Sequence, residues 1–275
     1  SAASDVYKRQ VLLDAVDATL AQRGETAPAD SANRQRLNSM TWPEAVCLMG
    51  ARLADALDYA HRQGVLHRDV KPANVLLGAD ASPRLADFNV GVSSKLAGAS
   101  PSAFFGGSLP YMSPEQIEAF DPNHPRMPES LDGRGDVYSL GVLLWELLSG
   151  RRPFTDERLE GGWSETLPAL VIRRRAGIDS ATIAQLPANL PPGLLDVLLK
   201  SLEADLDQRY ATAGELAKQL DLCLKPEARR LLYPEPGWRT WVRRHPMLAL
   251  YPTALVPAAL ASWFTIEHNK YEILG

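Results

Sequence analysis

Residues His67 to Leu77, HRDVKPANVLL, set an imidazole, a guanidinium, a carboxylate, an ammonium and an amide ahead of an apolar run. That mixture suits phosphoryl transfer. The transition state of such a transfer spreads negative charge over the phosphoryl oxygens, so catalysis is mostly positioning and cationic clamping, with a carboxylate to orient the attacking hydroxyl. Asp69 is the candidate carboxylate. Lys71, two residues on, would reach the transferred phosphate, and Asn74 offers an amide oxygen to magnesium, which prefers hard oxygen ligands. Val75, Leu76 and Leu77 read as a short buried strand that anchors the loop.

The run resembles the catalytic loop of eukaryotic-type (Hanks-type) protein kinases: HRD, an apolar residue, three more positions, then Asn. Lysine at the second position after the aspartate resembles the serine/threonine branch. Small-molecule phosphotransferases carry a similar loop, so the companion motifs matter. Arg84 to Val90, RLADFNV, resembles the metal-binding DFG segment, here Asp87-Phe88-Asn89. Asn replaces the family's glycine and is the other residue that best tolerates left-handed backbone. The resemblance makes Asp87 a magnesium ligand, with a turn-capping aspartate as the alternative. Gly106 to Gln116, GGSLPYMSPEQ, resembles the substrate-positioning loop and the APE motif, here Ser113-Pro114-Glu115.

The same resemblance assigns supporting roles. Ser108 stands where the family has a threonine bonded to the catalytic aspartate and lysine, and Glu115 would form a buried ion pair with Arg209 of LDQRYAT. His67 would be a packed structural residue rather than the base. Arg68 would receive an activation-loop phosphate through bidentate bonds, or else be a surface arginine paired to a carboxylate. Leu76 would floor the adenine pocket. Asp136 would hold the catalytic loop by backbone bonds, and a plain helix N-cap is compatible with that.

The elements that must position these residues are partly legible. With 275 residues, 45% hydrophobic and 23% charged, the chain is globular and long enough for one large domain or two small ones. A net charge of -4 gives no sign of a nucleic-acid surface. Cys47 and Cys223 match no metal or disulfide spacing and read as core residues. Residues 1–10 read as a non-native leader, left out of fold reasoning. Val11 to Val16 reads as a strand, and by resemblance the last of the small lobe; no glycine-rich loop or strand lysine precedes it, which implies a kinase domain lacking most of its N-terminal lobe. Gly24 to Met40 reads as a surface loop.

Thr41 with Glu44 forms a capping box for a helix whose stripe is Val46, Met49, Leu53, Leu57 and Ala60, closed by Gly64. His61, on that helix, reads as a solvated or capping side chain. Gly91 to Phe105 reads as a mobile activation segment with Ser93, Ser94, Ser100 and Ser102 as phosphosites. Asp136 to Leu148, apolar nearly all round, predicts a fully buried helix ended by Gly150. Further helices are predicted near Leu167 to Arg175, at Leu194 to Leu202 and at Thr212 to Leu224.

Met247 to Ile266 is uncharged over a length close to the ~20 residues a spanning helix needs. Arg239, Arg243 and Arg244 precede it, which would set the kinase side in the cytoplasm. The expectation is therefore an α+β, protein-kinase-like fold, mostly the helical C-terminal lobe, over residues 11–224. A juxtamembrane linker (225–246), a single transmembrane helix (247–266) and a short tail (267–275) follow. By resemblance it would be a plasma-membrane serine/threonine kinase using ATP and Mg2+ on protein Ser or Thr hydroxyls, with activation in trans by a homodimer. The alternative is a pseudokinase or docking module.

Overall fold

The computed structural model describes residues 2–88, 108–154, 160, 162–232, 261–263 and 265–266, with side chains from Lys8 onward. Its first element corrects the sequence reading. Helix α1 (Ala2–Gln22) runs through both the leader and the expected strand at Val11 to Val16. Leu13, Val16 and Leu20 are buried while Val11 is exposed, so the apolar residues recur every three or four positions. That is a helical period, which a short window of mixed valine and leucine conceals. The segment expected to be a loop likewise contains a helix, α2 (Ala32–Ser39). The Ser31 hydroxyl accepts from the Arg34 amide, and Leu37 alone is buried.

Helix α3 (Trp42–Arg62) begins as expected. Thr41 Oγ1 accepts from the Glu44 amide and the Glu44 carboxylate accepts from the Thr41 amide. All five stripe residues are buried. A 3-10 turn (Pro72–Asn74) leads into β1 (Val75–Leu77), which pairs antiparallel with β2 (Pro83–Leu85), Leu76 opposite Arg84. This strand is less buried than expected, because Leu76 remains 56% exposed on the open face of a two-stranded ribbon.

After a second 3-10 turn (Leu109–Tyr111) come α4 (Pro114–Phe120), a third turn (Pro128–Ser130) and α5 (Arg134–Ser149). Helix α5 is the buried centre. Gly150 ends it at φ 76°, the left-handed conformation that only a residue without Cβ adopts cheaply. The remaining helices are α6 (Trp163–Arg175), α7 (Ser180–Ile183), α8 (Leu194–Ser201), α9 (Ala213–Cys223) and α10 (Pro226–Leu232).

One core gathers α3, α5, α8 and α9 around Leu53, Leu57, Leu140, Leu144, Leu198, Leu216 and Leu220. The Trp42 indole also donates to the Leu147 carbonyl at 2.8 Å, joining α3 to α5. A second cluster packs α4 and α6 against Leu109 and Met112. Among the described residues the fold is thus mostly helical with two short strands.

The chain divides into two units, Ser1–Pro226 and Glu227–Gly275. Within the second, the segment 247–266 lies outside the described residues except for 261–263 and 265–266. No helix among the described residues is long and apolar enough to cross a membrane.

Cys47 on α3 and Cys223 on α9 are buried as expected, and folding brings them together. The hydrogen bond with Cys223, reinforced by burial, pushes the Cys47 thiol far above the ordinary thiol range. The thiolate is the reactive form. Iodoacetamide at neutral pH is therefore expected to label neither cysteine in the native chain and both in denaturant, read by intact mass.

Candidate active site

The loop that begins at His67 is held by one carboxylate. Asp136, in the first turn of α5, is buried, and its Oδ1 accepts from the Arg68 amide at 2.7 Å. Its Oδ2 accepts from the His67 amide at 2.8 Å and lies 2.7 Å from His61 Nε2. The N-cap position belongs to Gly133, so the carboxylate is free to serve the loop rather than its own helix. These two amide bonds fix an unusual turn: Arg68 sits at φ 62°, a conformation bulky side chains adopt only when their surroundings hold them there.

His61 is therefore not the solvated or capping side chain expected. Its ring lies between Asp136 and Gly133, where a Cβ added to the glycine would come within 2.4 Å of Nδ1. No sequence signal linked it to Asp136, because the two residues lie on different helices. An Asp136→Asn variant loses one acceptor and presents an amide N–H to the loop amides. It is expected to cost about 1–3 kcal/mol, read as a lowered midpoint in urea.

His67 is fully buried, with Nε2 3.0 Å from the Ala86 carbonyl and its ring 4.5 Å from that of Phe88. It thus ties the loop at His67 to the segment that follows β2 and carries Asp87. Gln116, a residue the sequence reading did not single out, bonds the Arg68 carbonyl at 3.2 Å. The Arg68 side chain leaves a buried Nε without a hydrogen-bond partner among the described residues.

The polar centre follows two residues later. Asp69 Oδ2 lies 2.9 Å from Lys71 Nζ and 3.0 Å from Asn74 Nδ2, which also donates to the Asp69 carbonyl at 2.8 Å. Lys71 Nζ reaches on to Ser108 Oγ at 2.7 Å. The ammonium therefore bridges the catalytic loop and the turn that begins at Ser108. Both hydrogens of the Asn74 amide are engaged with Asp69, so its oxygen is what it can offer a cation. Asp69 Oδ1 is buried with no hydrogen-bond partner among the described residues. A buried carboxylate oxygen left without a donor is costly unless something else supplies one.

Asp87, two residues past the end of β2, is exposed and adopts φ 56°. Leu76 lies on the exposed face of β1. Asn89 and the expected phosphosites Ser93, Ser94, Ser100 and Ser102 lie outside the described residues.

Glu115 and Arg209, distant in sequence, form the expected ion pair, Nη1–Oε1 2.7 Å and Nη2–Oε2 3.2 Å. The Arg209 side chain is 0% exposed and also donates to the carbonyls of Arg134 and Glu203. It secures α4, and with it the turn at Ser108, to the base of α5.

A helical lobe built on a buried central helix, presenting aspartate, lysine and asparagine from one braced loop, has the architecture of a protein-kinase C-terminal lobe. The sequence model of the protein kinase domain family matches residues 25–220, and the chain belongs to that family.

Two similar proteins carry the same designation. A probable serine/threonine-protein kinase of Streptomyces coelicolor is 31% identical over 184 residues, covering 66% of this chain and 25% of that protein. The serine/threonine-protein kinase PknB of Mycolicibacterium smegmatis is 33% identical over 174 residues, covering 62% of this chain and 25% of that protein. The chain thus spans about a quarter of the length of these relatives.

Proposed function

We propose that the protein is a serine/threonine protein kinase that transfers the terminal phosphate of ATP to protein hydroxyls. One observation carries the reading: Asp69 has Oδ2 fixed by Lys71 and Asn74 while Oδ1 is left to accept a proton. A carboxylate so held can orient a substrate hydroxyl and take its hydrogen bond. Lys71, between Asp69 and Ser108, would meet the transferred phosphoryl group. Ser108 would steady both.

ATP and Mg2+ are the cofactors that protein kinases generally use. The donor set fits the metal, since Asn74 offers an amide oxygen and Asp87 an exposed carboxylate, both hard oxygen ligands. Magnesium at such a site neutralises phosphate charge. Leu76, apolar and exposed at the strand face, suits the adenine ring.

The test is magnesium-dependent transfer of labelled phosphate from ATP to a generic basic protein, using the full-length gene product beside its Asp69→Asn variant. Transfer that vanishes in the variant supports the reading. No transfer and no ATP binding in the wild type would replace it with a docking module built on the same fold. We further propose that 247–266 anchors the protein in the plasma membrane with the kinase domain cytoplasmic, on the strength of its uncharged run and the arginines before it. Release of the gene product from vesicles by alkaline carbonate would reject that.

A further inference from the structure

Arg174, near the end of α6, is fully buried, and no motif singles it out. Burying a guanidinium is costly unless its N–H groups find acceptors. Here Nε donates to the Met112 carbonyl at 2.9 Å, Nη2 to the Leu109 carbonyl at 3.0 Å and Nη1 to the Leu170 carbonyl at 3.5 Å. The cation also lies 5.6 Å from the centroid of the Phe154 ring. The Leu109 carbonyl belongs to the 3-10 turn immediately after Ser108, and the Met112 carbonyl to the residue that caps that turn.

The turn has other ties as well. Its own bonds are Tyr111 N to Ser108 O at 2.9 Å and Met112 N to Leu109 O at 3.2 Å, so the Leu109 carbonyl is shared with Arg174. Its apolar anchors, Leu109 and Met112, lie in the second cluster, on Leu167, Leu170 and Val171 of α6. On the other side the Tyr111 hydroxyl donates to Glu146 of α5 at 2.5 Å. Next along α6, Arg175 pairs with Glu118 of α4 at 2.5 Å. Consecutive arginines thus fasten α6 to the turn and to the helix that follows it.

We propose that Arg174 is the positioning residue for the 108–112 turn, so that α6 sets how a protein substrate is presented to Asp69 without touching the nucleotide side. The inference rests on the kinase reading only where it speaks of substrate. A planar fork suits the task, because a single guanidinium can bridge two carbonyls whereas an ammonium has one point of charge.

The experiment compares the full chain with its Arg174→Met and Arg174→Lys variants by amide hydrogen exchange. In Arg174→Met, exchange at Tyr111 and Met112 is expected to quicken by about tenfold or more, the scale of one charge-assisted hydrogen bond. The amides of α3 and α5 should keep their protection, and Arg174→Lys should fall between. Unchanged exchange in the turn, or an equal rise across α3 and α5, would overturn the proposal and leave Arg174 a general core brace. In the full-length gene product, the KM for a protein substrate should rise in Arg174→Met while the KM for ATP holds. Local exchange with no phosphate transfer in any form would reject the kinase reading and retain Arg174 as the residue that fixes the turn.

Discussion

Asp69→Asn is expected to lower phosphate transfer by the full-length gene product by about 10²–10⁴-fold, the range for removal of a positioned general base. The carboxylate has two duties here, and the substitution removes both. Its Oδ1 is the proton acceptor without a partner among the described residues, and an amide at that place either donates or accepts with a weaker oxygen. Its Oδ2 holds Lys71 Nζ at 2.9 Å, so a neutral side chain also frees the ammonium to shift toward Ser108. Affinity for ATP should change little, because no nucleotide-binding residue proposed above is altered. Comparing turnover with nucleotide affinity by thermal shift separates the two effects. Undiminished transfer in Asp69→Asn would remove Asp69 from the chemistry.

Arg209→Ala is expected to be the most destabilising single change, by about 3–5 kcal/mol, because it strands a buried carboxylate. Glu115 would lose both guanidinium bonds, and the carbonyls of Arg134 and Glu203 would lose their donor as well. The guanidinium also lies 5.0 Å from the centroid of the Tyr138 ring, contact that alanine cannot replace. Glu115→Gln should cost less. It keeps an oxygen for Arg209, whose two carbonyl partners remain in place. The double variant Glu115→Gln with Arg209→Ala should recover part of the arginine's cost, since no buried charge is then left alone. Urea unfolding midpoints for the four proteins measure this directly; equal losses in the two single variants would mean that the ion pair, rather than the carbonyl bonds, dominates.

How much of this was legible depended on range. The capping box at Thr41, the stripe of α3 and the buried run of α5 were readable because each is a contest settled within a few residues. The strand expected at Val11 to Val16 failed for the opposite reason. A short window of valine and leucine satisfies both periods, and only the burial of Leu13, Val16 and Leu20 against the rest of the domain selects the helix. Gly24 to Met40 likewise concealed α2, whose one buried residue, Leu37, is too weak a pattern to register.

The sequence by itself determined which polar residues stand together. Asp69, Lys71 and Asn74 lie within one short loop, and a loop of that length cannot separate them far. Even the ion pair of Glu115 with Arg209 was available as an implication of motif resemblance. What only the tertiary structure decided was the bracing: that His61 reaches Asp136, that Gln116 bonds the Arg68 carbonyl, that Cys47 meets Cys223 and that Arg174 grips the turn after Ser108. Those partners come from different elements, and no periodicity within one helix records which part of another element it will meet. Side-chain hydrogen bonds of this kind depend on packing geometry at the scale of an ångström, which is fixed only when the shared core closes.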